Sequence, residues 1–203
     1  MMYTQRQYPL FSACGLNCGL CPRFHTDGKS RCPGCAGAGF LEKHPTCGVL
    51  SCCQKRSLEV CFECGDFPCA KYDGAGDTDS FISHKNEMAD LAKAKAIGMA
   101  AYQSELDEKV SALQVLLAGY DDGRRKSFFC TAAQLLPLRD IQSVMLQLSE
   151  NADASAALKD KVANAVRLLQ SAADASGIEI GLRKKQGAAK RANTKEVNGN
   201  GQA

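Results

Sequence analysis

Cysteine is concentrated in one early part of the chain, with the spacing that proteins use to hold metal ions. Eleven of the twelve cysteines lie between Cys14 and Cys69. Along this window they occur as CGLNCGLC, CPGC, a single cysteine, a Cys-Cys pair, CFEC and FPC. In a C-x-x-C pair a short turn directs two sulfur atoms toward one cation, and several such pairs complete tetrahedral thiolate sites. The sequence therefore predicts a metal-binding protein.

Zinc in closed, all-sulfur sites is the leading interpretation. Two C-x-x-C pairs separated by ten residues have a spacing close to that of a zinc ribbon. The third pair is CFEC (61–64), and either Cys47 with Cys52 or Cys69 completes a second site with it, so we expect two or three zinc ions. Sequential and interleaved pairings have the same spacing, which leaves the partition into sites open. The ten predicted ligands are Cys14, Cys18, Cys21, Cys32, Cys35, Cys47, Cys52, Cys61, Cys64 and Cys69.

An iron–sulfur or redox protein is the alternative that this spacing leaves open. Cys14, Cys18 and Cys21 have the three-cysteine spacing with which radical S-adenosylmethionine enzymes hold a four-iron cluster. The chain is too short for the βα barrel of such enzymes, and no βα alternation follows the motif. The alternative is therefore a cluster used for electron transfer or structure, held by the CGLNCGLC cysteines.

Four further residues have roles that the spacing leaves open. His25 and His44 fall within the cysteine window and are expected to be exposed loop residues, and the alternative is that either replaces a sulfur in a mixed metal site. Cys53 adjoins Cys52, and two adjacent sulfurs do not easily reach one ion, so Cys53 is expected to be spare. Cys130 lies far along the chain and is expected to be a small core residue on a helix. The competing hypothesis for Cys130 is a third thiolate site that joins the helical half to the metal half.

Charge and composition limit the possible partners. Six basic residues and one acidic residue fall within 183–203, so the rest of the chain is slightly acidic before any thiolate is counted. A zinc-dependent nucleic-acid-binding module is thus a weaker alternative, and nucleic acid is not expected except through the basic tail. No stretch approaches the ~18 apolar residues of a membrane span, and the first residues lack a signal-peptide pattern. We expect a cytoplasmic protein whose partner is another protein.

Enzymatic activity is not indicated. The sequence has no G-x-S-x-G motif, no phosphate-binding glycine loop and no paired-carboxylate pattern. A catalytic zinc site usually keeps one open position and includes histidine or carboxylate, whereas the predicted sites contain only sulfur. No catalytic residue is therefore assigned.

Helical periodicity begins where the cysteines end. Apolar residues recur every three or four positions from Met99 to Leu117, and Gly119 is placed to end that helix. A helix is expected before it from Ser80 or Ser83 with Met88, Leu91 and Ile97 inward, and others follow after Ser127, near Pro137 and from Ser155. The predicted fold is mainly α: a small irregular, zinc-ribbon-like cysteine-rich module over 1–72, a linker over 73–79, a helical bundle over 80–182 and a disordered basic tail over 183–203.

The order of the cysteine motifs resembles a known family. The series CGLNCGLC, CPGC and CGVLSCCQKRSLEVCFECGDFPC resembles a prokaryotic cysteine-rich family that is catalogued as a domain of unknown function, number thirty-seven ninety-five. The resemblance is strong over residues 10–72 and weaker in the helical half. It implies a zinc-binding or other metal-binding protein without an established activity, and it favours the same ten cysteines as functional positions. It supplies no substrate.

Overall fold

The structure is built from helices. The computed structural model describes residues 6–74, 77–153 and 155–184, and within these ranges it contains no β-strand. The cysteine-rich segment comes first and is mostly irregular, which confirms the predicted fold class. Its short 3-10 turns are Cys18–Leu20, Gly28–Ser30, Cys61–Glu63 and Ala70–Tyr72. The α-helices are α1 (Phe40–Lys43), α2 (Gly48–Arg56), α3 (Glu87–Ile97), α4 (Met99–Gly119), α5 (Lys126–Leu135), α6 (Leu138–Glu150) and α7 (Leu158–Ala175).

Helix α4 is the centre of the bundle and packs against α3, α5, α6 and α7. Its buried side chains follow the predicted three-four spacing, and the helix ends at the predicted glycine. This amphipathic face buries apolar surface on several sides at once, which stabilises a helix more than its own propensity does. The buried positions of α4 are Tyr102, Leu106, Val110, Leu113 and Leu116.

Three helix boundaries differ from the sequence prediction. Helix α3 begins at Glu87 rather than near Ser80, because Ser83 exchanges backbone hydrogen bonds with the Gln134 side chain and keeps the preceding loop extended. Helix α7 begins at Leu158, beyond the predicted cap Ser155. Pro137 has an extended backbone and precedes α6 instead of lying in its first turn.

The predicted inward face of α3 is only partly correct. Leu91 is fully buried, but Met88 and Ile97 are each 42% exposed. The helix packs against α4 and the 3-10 turn at Cys61, and this contact covers a narrower stripe of α3 than the sequence pattern suggested.

The cysteine-rich segment and the helices share one hydrophobic core. Phe11, Leu20 and Val60 are completely buried in the same cluster as the inward side chains of the helices. The ring centroids of Phe11 and Tyr102 lie 4.7 Å apart. Residues near the first cysteines are therefore held in place by the bundle.

A second long-range connection joins Asp79, in the predicted linker, to Arg183 near the end of the described chain. The side chain of Asp79 accepts hydrogen bonds from the guanidinium and backbone N–H of Arg183, and from the backbone N–H of His84.

The division into module, linker and bundle stays a prediction, and residues 185–203 of the predicted tail lie outside the described residues. No helix in the described ranges is long and apolar enough to cross a membrane.

Candidate metal centre

Local turns place the cysteines of two C-x-x-C pairs. The backbone N–H of Cys21 donates to the carbonyl of Cys18, and the N–H of Cys64 donates to the carbonyl of Cys61, each over 3.1 Å. These i to i+3 bonds form 3-10 turns that bring both cysteines of a pair to the same bend. In the CPGC pair Gly34 has φ +84°, a backbone conformation that glycine adopts without steric cost.

Six thiols from the first part of the window form one group, here called the first thiol cluster. Burial raises the pKa of Cys18 well above its usual value, and the charges of four neighbouring thiols raise it further. Cys47 is close enough to Cys14 and Cys35 to act on both in the same direction. The first thiol cluster consists of Cys14, Cys18, Cys21, Cys32, Cys35 and Cys47.

Five thiols from the second part of the window form the second thiol cluster. They line a cavity of about 120 Å³ beside the side chains of Arg56 and Lys71. The backbone N–H of Cys61 donates to the carbonyl of Ala13, which places this cluster next to the first. The second thiol cluster consists of Cys52, Cys53, Cys61, Cys64 and Cys69.

The electrostatics of both clusters suit a cation. Burial, followed by the neighbouring thiol charges, raises the pKa of Cys53 to about 12, and burial also raises the pKa of Cys61. Buried thiolates that repel one another are costly, and a coordinating cation offsets that cost by deprotonating its sulfur ligands. The donor set is therefore chemically suited to a thiophilic metal ion.

Two donors already contact individual sulfur atoms. Arg56 donates through Nη1 to the sulfur of Cys64 over 2.8 Å and pairs with the Asp66 carboxylate over 2.7 Å. Cys47 precedes helix α2, and its sulfur accepts the backbone N–H of Leu50 over 3.4 Å.

The sulfur atoms are grouped but do not have coordination geometry. All twelve cysteines lie in the described residues and none forms a disulfide. Across residues 6–74, 77–153 and 155–184, no set of three or more His, Cys, Asp or Glu side chains is arranged to hold a metal ion. Metal binding at either cluster would require its sulfur atoms to move closer together.

Comparison with known proteins identifies the cysteine-rich segment. Residues 10–74, about a third of the chain, match the model of a family described as "Protein of unknown function (DUF3795)". Residues 10–74 are a DUF3795 domain. This confirms the family resemblance seen in the motifs, and the family description names no activity. No curated protein and no solved structure matches the chain.

The DUF3795 domain also contains the residues whose roles the sequence left open. Cys53 is 2% exposed and lies beside Cys61, so it belongs to the second thiol cluster as closely as its neighbour Cys52 does. His44 is exposed and stacks on the ring of Phe40. His25 is half-buried and its Nε2 lies 2.7 Å from the carbonyl of Gly19. Neither histidine is part of a thiol cluster.

Cys130 lies outside the DUF3795 domain and is a buried residue of helix α5, as predicted. Burial raises its pKa to about 12, and the charge of Cys21 raises it further. Cys130 therefore lies near Cys21 of the first thiol cluster.

The basic and aromatic residues near the cysteines pair with one another. The Arg31 guanidinium lies over the Phe24 ring at 5.2 Å, and the Arg23 guanidinium lies over the Phe81 ring at 4.6 Å. Nucleic-acid-binding knuckles use such side chains to contact phosphates and stack on bases. The nucleic-acid alternative stays a prediction, and these pairs would have to separate for it.

A buried polar contact that the sequence analysis missed joins the DUF3795 domain to the bundle. Asn17 donates from Nδ2 to the carboxylate of Asp90 over 2.9 Å, and Tyr102 donates its hydroxyl to Asn17 Oδ1 over 3.1 Å. Lys109, Lys93 and the acidic Glu105 line the same cavity of about 190 Å³. The polar residue within CGLNC was the available signal, but its partners lie more than seventy positions away.

This contact predicts a pH dependence of stability that one substitution removes. Burial raises the pKa of Asp90 to about 6, although Lys109, Tyr102, Lys93 and Asn17 act to lower it. The unfolded chain loses this proton near its ordinary pKa, so the associated stability is fully present below that value and is lost as pH rises through about 6. Relative to Asp90→Asn, the wild type should lose about 1–3 kcal/mol of unfolding free energy between about pH 4 and about pH 7.

Urea unfolding of both proteins across this pH range measures the difference. Asp107→Asn is the matched control, because Asp107 is an exposed carboxylate of helix α4 whose Oδ1 accepts a hydrogen bond from Gln103, one turn earlier. The control should keep the slope of the wild type. Parallel pH profiles for the wild type and Asp90→Asn would contradict the prediction.

Proposed function

We propose that the DUF3795 domain of this chain binds zinc through cysteine thiolates, with one ion in each thiol cluster. The observation that supports this most directly is that eleven cysteines spread over residues 14–69 fold into two adjacent clusters. Thiolates that are buried side by side repel one another and lose hydration, and a bound cation offsets that cost. Zinc is chosen because closed sites of thiolate ligands are its commonest structural form.

The proposed ligands are drawn from the ten cysteines selected from the sequence, which the clusters divide. Because structural zinc takes four ligands, four of the six thiols of the first cluster would hold one ion and four thiols of the second would hold another, with Cys53 as a further candidate beside Cys61. Zinc supplies no redox chemistry here, and it would act by fixing the loops that carry its ligands. The loops are rich in glycine and proline, so the sulfur atoms can approach one another when a cation binds.

The domain needs a stabilising metal ion because its own hydrophobic core is small. Besides the residues that reach the helical bundle, the DUF3795 domain has one separate hydrophobic cluster of seven buried residues, three of which are cysteines. A segment of this size rarely folds on so little apolar burial without a metal, disulfides or a partner. In our proposal the zinc-fixed loops form a surface for a protein partner in the cytoplasm.

An iron–sulfur cluster is the second candidate, and one observation favours it at the first thiol cluster only. Cys14 and Cys21 both lie close to Cys18, so the three cysteines of CGLNCGLC are neighbours within the first thiol cluster. Three cysteines at this spacing are also able to hold iron. The metal analysis that follows separates the two candidates.

The decisive experiment is metal analysis of protein purified without oxygen. We expect about two zinc ions per chain and no visible absorption band, as closed thiolate zinc sites have no d–d transitions. Cys18→Ser should remove one ion and Cys61→Ser the other, while the control Cys130→Ser should keep both. Iron with acid-labile sulfide and a broad visible band would support the iron–sulfur cluster and contradict the zinc proposal. Protein without any bound metal would contradict both.

A further inference from the structure

Arg6 is buried beside the first thiol cluster, although an arginine so close to the chain start would ordinarily be solvated. Its side chain is 5% exposed. Nη1 donates to the carbonyl of Phe11 over 2.7 Å, and Nη2 donates to the carbonyl of Glu59 over 2.9 Å. Nη2 also pairs with the Glu59 carboxylate at 3.3 Å. These contacts fix the orientation of the guanidinium group.

The third nitrogen of this guanidinium, Nε, differs from the two Nη atoms in its hydrogen bonding. Nε of Arg6 is inaccessible to solvent and has no hydrogen-bond partner among residues 6–74, 77–153 and 155–184. A buried N–H without an acceptor loses its hydration and gains nothing in return, so such groups are rare and need an explanation. Because the two Nη groups already have partners, Nε–H is the guanidinium nitrogen left to donate to a further acceptor.

The sulfur of Cys35 is the neighbouring group that can accept this hydrogen bond. Arg6 and Cys35 line the same cavity of about 750 Å³, and Cys35 is 5% exposed. Burial raises the pKa of Cys35, while the nearby charge of Arg6 and the backbone N–H of Ala13 lower it. A neutral thiol is a weak acceptor, whereas a metal-bound thiolate is a strong one.

We propose that Arg6 is a positioning residue of the first thiol cluster, whose Nε–H donates to the thiolate of Cys35 when that sulfur binds a metal ion. This inference rests on the metal binding proposed above. Arg6 would orient the sulfur and offset part of the negative charge that several thiolates bring to one cation. Partners of this kind behind a metal ligand typically contribute about 10- to 100-fold to metal affinity.

Arginine suits this position better than lysine. The planar guanidinium holds Phe11 and Glu59 through its Nη groups and keeps Nε–H for the Cys35 thiolate in the same orientation, which the three rotating protons of an ammonium group do not reproduce. Arg6→Lys keeps the charge and loses the fixed N–H, whereas Arg6→Gln loses both. The two variants therefore separate the charge from the hydrogen bond.

The closing experiment is performed on the full chain loaded with cadmium-113. Nuclear magnetic resonance of the wild type should show a scalar coupling between the Arg6 Hε proton and one cadmium nucleus, together with slow exchange of that proton. This signal reports a hydrogen bond to a metal-bound sulfur, and a merely structural role for Arg6 does not produce it. The wild type alone suffices for this measurement, so the test survives if a variant fails to fold.

Affinity measurements provide the second arm. Competition with a chromophoric chelator should show cadmium bound about 10- to 100-fold more weakly at the first thiol cluster in Arg6→Gln, with a smaller loss in Arg6→Lys. Affinity at the second thiol cluster should be unchanged in both. Arg139→Gln is the matched control, because Arg139 is an exposed arginine of helix α6 with 83% of its side chain in solvent.

The outcomes distinguish the two proposals. Bound cadmium with the coupling to Hε supports the inference. Bound cadmium without the coupling, or an equal loss of affinity at both clusters, overturns the role of Arg6 and leaves metal binding by the domain intact. A chain that binds no cadmium overturns both.

Discussion

Removing bound metal with a strong chelator is expected to unfold residues 10–74 while most of the helical circular dichroism of α3 to α7 remains. Structural zinc contributes roughly 10–16 kcal/mol per site in small zinc-binding peptides, more than the small core of the DUF3795 domain is able to replace. The long helices are held by a separate and larger set of apolar contacts around α4. The loss of structure should therefore be confined to residues 10–74.

The bundle should nevertheless become less stable when the domain unfolds. Phe11, Leu20 and Val60 would leave the shared core, and truncating a single buried side chain of this kind already costs about 2–5 kcal/mol. Each kcal/mol lowers the melting temperature of a domain of this size by about 4–8 °C. We expect the chelated protein to keep its helices at room temperature and to melt well below the metal-loaded protein.

Hydrogen exchange followed by mass spectrometry measures this result segment by segment. Peptides from residues 10–74 should lose protection after chelation, and peptides from α4 should keep it. Adding zinc back should restore protection, whereas magnesium, which prefers oxygen ligands, should not. Unchanged protection of residues 10–74 after complete metal removal would show that metal does not hold the domain together.

Gly15→Ala is expected to destabilise the protein by about 2–4 kcal/mol, since overpacking and left-handed backbone strain add together. Gly15 follows the first cysteine of the window and has φ +99°. A Cβ atom there would lie 2.5 Å from Leu91 Cγ and 2.8 Å from the backbone oxygen of Glu87. Helix α3 would have to move away from the DUF3795 domain to make room.

Gly28→Ala is the matched control for this substitution. Gly28 also has a positive φ, +73°, but a Cβ atom there meets nothing within 4 Å. Only the backbone strain remains, so we expect a loss of about 1–2 kcal/mol. Urea unfolding monitored by circular dichroism compares the two variants. Equal losses would mean that the close approach of Gly15 to α3 does not contribute to stability.

Local patterns in the sequence determined the elements but not all of their ends. The periodicity of α4 and its terminal glycine were sufficient, because a long amphipathic helix has one register that buries its apolar side. Burial of Cys130 on a helix was also predictable. The starts of α3 and α7 were not predictable. For α3 the reason is that the backbone of Ser83 is hydrogen-bonded to the side chain of Gln134, 51 positions away, and so does not begin a helix. Tertiary contacts of this kind override local capping signals.

Some features of the candidate site likewise depend on neighbouring residues in the sequence, and others depend on long-range contacts. The sequence by itself determined the cysteine-rich domain, its C-x-x-C turns and its family, because these depend on residues three or four positions apart. Only the tertiary structure decided that Cys47 joins the first thiol cluster and Cys52 the second, because sequential and interleaved pairings have identical spacing. The same holds for Arg6 and Asp90: a single charged residue has no pattern, and its role arises only when folding removes water from it and brings distant partners into contact.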